Sequence, residues 1–187
     1  MSKEKLSRKQ ILKKASKIKL VITDVDGVLT DTGVYYSAKG EELKRYSIRD
    51  GMGMERLRKL VDVETGIMTR ENTEIVTSRA KKLKIEELYL GVLEKEKTFD
   101  EILVKKNFKA EEIAYIGDDT IDVEIMKKSG LSACPNDATK FAKNVADVIL
   151  ESKGGNGAFR DLAEIIIEAK QQKQKKVKDE PRKSKSR

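Results

Sequence analysis

Residues Ile18-Lys19-Leu20-Val21-Ile22-Thr23, running directly into Asp24-Val25-Asp26-Gly27-Val28-Leu29-Thr30, decide how this chain folds. The first six are mostly aliphatic and β-branched, the composition of a buried strand. That strand ends at Asp24, so its carboxyl end carries two acids, and Gly27 permits a tight turn just beyond them. Outward from this point, further apolar runs occur at 63–68, 88–90, 113–116 and 131–133, with a shorter one at 148–149. Most are separated by helical patterns of about ten residues. Strands alternating with helices imply an α/β fold, a Rossmann-like parallel sheet flanked by helices and joined by right-handed crossovers. One segment breaks the rhythm: residues 33–46 read as a β-hairpin insertion, Val34-Tyr35-Tyr36 and Leu43-Lys44-Arg45-Tyr46, turning around Lys39-Gly40.

The chain has 187 residues, enough for one domain with its own core. We read a basic N-terminal helix at 1–17, the α/β domain at 18–170 and a basic tail at 171–187 that extends the last helix and frays near Pro181. The net charge of +8 resembles that of a nucleic-acid binder, but residues 1–19 and 170–187 each carry +7, leaving −6 between them. The body is therefore acidic, and the basic ends are expected to be solvated, with no specific nucleic-acid partner. No stretch is apolar enough for a signal peptide or a membrane span. The single Cys134 is expected to pack in the interior of a protein of the reducing cytoplasm. Histidine is absent, which excludes His-based acid/base catalysis and His-ligated zinc.

In an open parallel sheet, ligands bind at the carboxyl ends of the strands. Asp24 and Asp26 follow the first strand, Thr69 the second, and Gly117-Asp118-Asp119 with Asp122 the fourth; Lys95 opens the helix after the third. Three carboxylates within about 4 Å repel by roughly 4 kcal/mol per pair at an effective dielectric of 20, so they need a cation or a shared proton. Oxygen ligands without His or paired Cys favour Mg²⁺. Asp24 is then the nucleophile and a metal ligand, and Asp118 a second ligand. Asp26 supplies a backbone carbonyl to the metal and acts as general acid/base. Thr69 and Lys95 bind the phosphoryl oxygens, while Asp119 and Asp122 orient metal waters and Lys95. Alone, Asp-Val-Asp-Gly also fits a calcium loop and Gly-Asp-Asp a helix cap; the later EF-hand ligands are missing, and the order of all these groups at strand ends carries the reading.

Asp24 to Asp31, Thr69, Lys95 and Gly117 to Asp122 resemble the motifs of the haloacid dehalogenase-like superfamily. Gly40-Glu-Glu-Leu-Lys44, Arg49-Asp-Gly-Met-Gly53 and Gly154-Gly-Asn-Gly157 with Arg160 resemble one branch of it more closely. That branch holds the 3-deoxy-D-manno-octulosonate 8-phosphate (Kdo-8-phosphate) phosphatases and the nonulosonate 9-phosphate phosphatases. The resemblance implies a capless, HAD-like, magnesium-dependent phosphatase of sugar-acid and lipopolysaccharide biosynthesis. It also implies a homotetramer in which the hairpin and a neighbour's C-terminal segment close the site. Neither the Asp24–Thr69 gap nor the Thr69–Asp118 gap leaves room for a large cap beyond the hairpin, in agreement. Two departures bear on substrate. Glu71, in Thr69-Arg70-Glu71-Asn72, with Arg79 and Lys82 looks more like the nonulosonate phosphatases, whereas Arg49-Asp50-Gly51 looks more like the octulosonate ones. Asn156 stands where arginine is common. A catalytically inert oligomerisation module is the reading from another class, against which the intact acids argue.

Overall fold

β1 (Leu20–Thr23) is buried along its whole length, which its uniformly apolar faces require. β2 (Val34–Ser37) and β3 (Gly40–Lys44) form a separate antiparallel hairpin. β4 (Glu64–Met68), β5 (Glu87–Tyr89), β6 (Ile113–Ile116), β7 (Leu131–Cys134) and β8 (Val148–Ile149) join β1 in a parallel sheet ordered β5-β4-β1-β6-β7-β8. The structure, a computed structural model, describes residues 6–179. The chain winds one way from β1 through β4 to β5, then returns to build β6, β7 and β8 on the other side of β1. The order therefore reverses between β1 and β6, and the crevice for a ligand opens at their carboxyl ends.

Helices cover both faces of this sheet. α1 (Arg8–Ala15), α2 (Ile48–Val61), α3 (Glu74–Leu83) and α7 (Ala158–Asp179) pack on one; α4 (Lys95–Lys106), α5 (Val123–Lys128) and α6 (Lys140–Val145) pack on the other. Alternation along β1 feeds both layers: Val21 joins the first core cluster, Leu20 and Ile22 the second. Cys134 is buried in the second layer as a packing residue.

Several boundaries differ from the sequence reading. β1 starts at Leu20 rather than Ile18, and β5 at Glu87. The second hairpin strand spans 40–44 rather than 43–46, because Gly40 at φ 105° closes a short turn and pairs directly with Ser37. From Arg8 onward the basic N-terminal segment packs on the domain through its apolar face, while Arg8, Lys9, Lys13, Lys17 and Lys19 stay exposed. Ala15 and Ile18 are buried, Ile11 and Leu12 pack on the core, and Lys14, Lys17 and Lys19 pair with Asp147, Glu111 and Glu112. These ion pairs tie the segment to the acidic body. α7 runs without a break across residue 170, and the expected fraying near Pro181 lies outside the described residues.

The N-terminus of α7 has no capping side chain of its own type, since Gly157 precedes it. Asp50 on α2 supplies the missing acceptor: its Oδ2 accepts from Gly157 N at 3.2 Å and its Oδ1 from Arg160 N at 3.0 Å. This buried acid fixes α2 against α7. The loop before α7 lies against the loop that follows β1 so closely that a Cβ on Gly154 would stand 2.0 Å from the Gly27 carbonyl oxygen. Asp50→Ala should therefore orphan two buried donors and cost about 2 kcal/mol, lowering the melting temperature by several degrees. Calorimetry checks this, and an unchanged melt would mean the cap is dispensable.

Candidate active site

Parallel register brings the acids together. Thr23 pairs with Ile116, and Asp24 N donates to the Ile116 carbonyl at 3.0 Å, so the chain leaves β1 and β6 at the same level. Asp24 and Asp118 consequently face one another across the switch point, with Gly27 between them. Gly27 has φ 84°, and a Cβ there would lie 2.1 Å from Asp118 Oδ2, so any side chain would be strained and would displace the Asp118 carboxylate. Asp24 is 4% exposed, and its Oδ1 accepts from Val25 N at 2.7 Å.

Behind Asp24 lies a buried polar network. Lys95, the first residue of α4, places Nζ 2.8 Å from Asp24 Oδ2 and 2.7 Å from Asp122 Oδ1. Tyr115 on β6 donates its hydroxyl to Asp122 Oδ1 at 2.6 Å and accepts from Lys95 at 3.0 Å. Asp122 Oδ2 accepts from the backbone N–H groups of Asp118 and Asp119 at 2.9 and 3.2 Å. Asp119 caps the short turn at Thr120–Asp122 and reaches the surface.

The charge does not balance within this cluster. Burial pushes the Asp24 carboxyl up to about 7, with Lys95 opposing and Asp122 reinforcing the rise. Burial together with Asp122, Asp24 and Asp119 pushes Asp118 up to about 8. Lys95 is held above its usual range: burial works against its charge, but Asp24 and Asp122 outweigh that effect. One cation thus serves several carboxylates, which is the electrostatic condition for a metal site. Oxygens of Asp24, Asp118 and Asp122 lie within 4.8 Å of one another. Asp122 is already saturated by Lys95, Tyr115 and two backbone donors, so Asp24 and Asp118 are the carboxylates free to hold an ion. An all-oxygen donor set suits a hard divalent cation.

Asp24, Asp26, Thr69, Arg70, Glu71, Asp118 and Asp119 line a cavity of about 390 Å³, roofed by Thr32, Val34, Tyr36, Glu41 and Lys44 of the hairpin region. Thr69 follows β4 and is 2% exposed, with its Oγ1 accepting from Glu71 N at 3.2 Å. Of Arg49, Glu71, Arg79 and Lys82, the residues expected to meet the sugar acid, only Glu71 lines this cavity. Arg79 instead donates to the Ser47 carbonyl at 2.9 Å and stacks on the Tyr46 ring, and Lys82 lies farther along α3 in an adjoining open groove. Arg49 shares another hollow with Asn156 and Arg160. Within one chain, these three cations stand away from Asp24.

Two site residues escaped the sequence reading. Tyr115 was visible only as one hydroxyl in an aliphatic strand, although a buried phenol requires a polar partner. Lys44 reads from sequence as part of the second hairpin strand with no role in the site, yet its Nζ lies 2.8 Å from both Asp26 oxygens and 3.3 Å from Glu41 Oε1. Burial lowers its proton affinity, but the bond to Asp26 and the charges of Asp26 and Glu41 hold it above the usual lysine range.

Residues 54–162 match the family model for haloacid dehalogenase-like hydrolases. The 3-deoxy-D-manno-octulosonate 8-phosphate phosphatase of Haemophilus influenzae is 38% identical over 156 residues, covering 83% of this chain and 86% of the relative. The crystal structure of the enzyme of that name from Yersinia pestis superposes with TM-score 0.84 at 36% identity, covering 87% of each chain. The Moraxella catarrhalis phosphatase, solved with a magnesium ion, a phosphate ion and a KDO molecule, gives TM-score 0.84 at 30% identity and covers 90% of this chain and 97% of its own. Fold, strand-end acids and relatives agree: the chain belongs to the haloacid dehalogenase-like hydrolases, on the branch of the 3-deoxy-D-manno-octulosonate 8-phosphate phosphatases.

Proposed function

We propose that this protein is a magnesium-dependent phosphomonoesterase that hydrolyses 3-deoxy-D-manno-octulosonate 8-phosphate to the free sugar acid and inorganic phosphate. The observation that carries it is the pairing of Asp24 and Asp118 at the β1/β6 switch point, with Lys95 bonded to Asp24. Asp24 attacks phosphorus, forming an aspartyl-phosphate as the bond to the sugar oxygen breaks. Asp26 gives its proton to the departing alkoxide. It then takes a proton from the water that attacks phosphorus, and Asp24 leaves as a carboxylate. Thr69 donates to a phosphoryl oxygen, while Lys95, held by Asp122 and Tyr115, keeps Asp24 oriented and offsets charge spreading over the group in flight. Asp24, Asp118 and the Asp26 carbonyl would hold Mg²⁺, which offsets the negative charge on the phosphate and on the attacking carboxylate. Asp119 lines the cavity beside these ligands, where it would orient metal-bound waters.

The relatives' names favour the eight-carbon acid over a nonulosonate 9-phosphate. The hairpin leaves Tyr35 and Leu43 62% exposed beside the site. An assembly of identical chains, a homotetramer in this reading, covers that apolar surface and brings a neighbour's segment to the cavity mouth. We place the enzyme in the cytoplasm, consistent with a free buried Cys134; among the described residues no helix is long and apolar enough to cross a membrane.

Steady-state assays with magnesium should give the octulosonate ester a kcat/KM at least about 100-fold above a generic sugar phosphate, roughly 3 kcal/mol of transition-state discrimination. The nonulosonate 9-phosphate is expected to fall between them, and a higher value for it would reassign the substrate. Metal binding has its own signature in stability. Both Asp24 and Asp118 ionise less readily in the folded chain than at the ordinary 3.8, so the folded state holds more protons from there up to about pH 8. Metal-free stability should fall as pH rises through that window. Added Mg²⁺ should accordingly raise the melting temperature more at pH 8 than at pH 5.5, and Asp118→Asn should abolish most of that difference. A magnesium shift independent of pH would contradict the assigned ligands.

A further inference from the structure

The hairpin delivers a lysine to the acid that the reaction needs twice. Lys44 is 1% exposed at its side chain although it sits on an otherwise open strand. Its Nζ lies 2.8 Å from each oxygen of Asp26, and the other side-chain donor to that carboxylate, Thr30 Oγ1, is at 3.3 Å. Asp26 is 35% exposed, so without Lys44 its carboxylate would have a weak tether and room to rotate. The backbone is arranged for this contact. Tyr35 pairs with Leu43 and Tyr36 with Glu41, so Glu42 is an extra residue bulging from β3. In a regular strand Glu41 and Lys44, three apart, would point to opposite faces. The bulge puts both on the cavity side, where Glu41 holds the lysine from behind at 3.3 Å.

We propose that Lys44 is a positioning residue for Asp26: the hairpin, through this one ion pair, sets the direction in which the general acid/base presents its oxygen. The inference rests on the phosphatase reading above. Lys44 acts on the proton-transfer steps and not on binding of the phosphoryl group, so its loss should matter most where the leaving oxygen most needs a proton.

The test uses the full chain with Mg²⁺ and a series of phenyl phosphates running from 4-nitrophenyl, whose anion leaves unaided, to 4-methoxyphenyl, whose anion does not. Lys44→Gln should lower kcat/KM less than about threefold on the first and about 10- to 100-fold on the last, a steeper dependence on leaving-group basicity. It should also show a burst of 4-nitrophenol, because the second step still needs Asp26 as base. Lys44→Arg, which can make the same bidentate contact, should restore most of the loss. An equal loss across the series would assign Lys44 to the bound phosphate or to folding and overturn the proposal, as would no loss. A Mg²⁺-dependent melt like that of the unaltered chain separates misfolding from the predicted effect. An unaltered chain inert to every ester would overturn the phosphatase reading, and this inference with it.

Discussion

The register between β1 and β6 is the constraint on which the site depends. Because Thr23 lies opposite Ile116, the residues leaving the two strands emerge at one level, at the point where the strand order reverses. Both carry acids there, and neither can retreat: Val25 and Val28 are buried in one core layer and Tyr115 and Ile22 in the other. The fold thus holds carboxylates closer than they would stand in solution. Lys95 offsets part of their charge, and it is fixed by Asp122 and Tyr115 so that it cannot swing away. What remains unbalanced is negative charge, which a bound divalent cation would offset.

The same economy governs the periphery. A chain with no cap has a cavity open on one side, and the hairpin is the only element of the described residues roofing it. Its two faces have different work. Glu41 and Lys44 point toward Asp26, while Tyr35 and Leu43 point outward with no cover from this chain. A partner resting on the outer face would steady the inner one, so assembly and acid/base geometry would be linked through a single bulged strand.

Much of this was legible before any coordinates. The parallel sheet followed from alternating strand and helix patterns, and Asp24, Asp118, Thr69 and Lys95 from their common position at strand or helix ends. Local periodicity carries that information, and topology converts it into proximity. Lys44, Tyr115 and Asp50 were not legible in the same way. Their partners are 18, 7 and 107 or more residues away, and in each case the polar group is buried against a partner that tertiary packing supplies and no local pattern records. The limits of the second hairpin strand differ from the sequence reading because Gly40 closes a short turn and pairs directly with Ser37, and the bulge at Glu42 then breaks the alternation. Arg79 is expected as a substrate contact, and within one chain it bonds the Ser47 carbonyl and stacks on Tyr46.

The claim at the centre is that Asp24 carries the phosphoryl group. Acid-quenching the enzyme during turnover, reducing any acyl phosphate with borohydride and mapping the resulting homoserine by peptide mass spectrometry addresses it directly. The account predicts homoserine at position 24 alone, appearing only when both substrate and Mg²⁺ are present. Homoserine at Asp26 or Asp118 instead, or none in an enzyme that turns over with the same rate after Asp24→Asn, would contradict it.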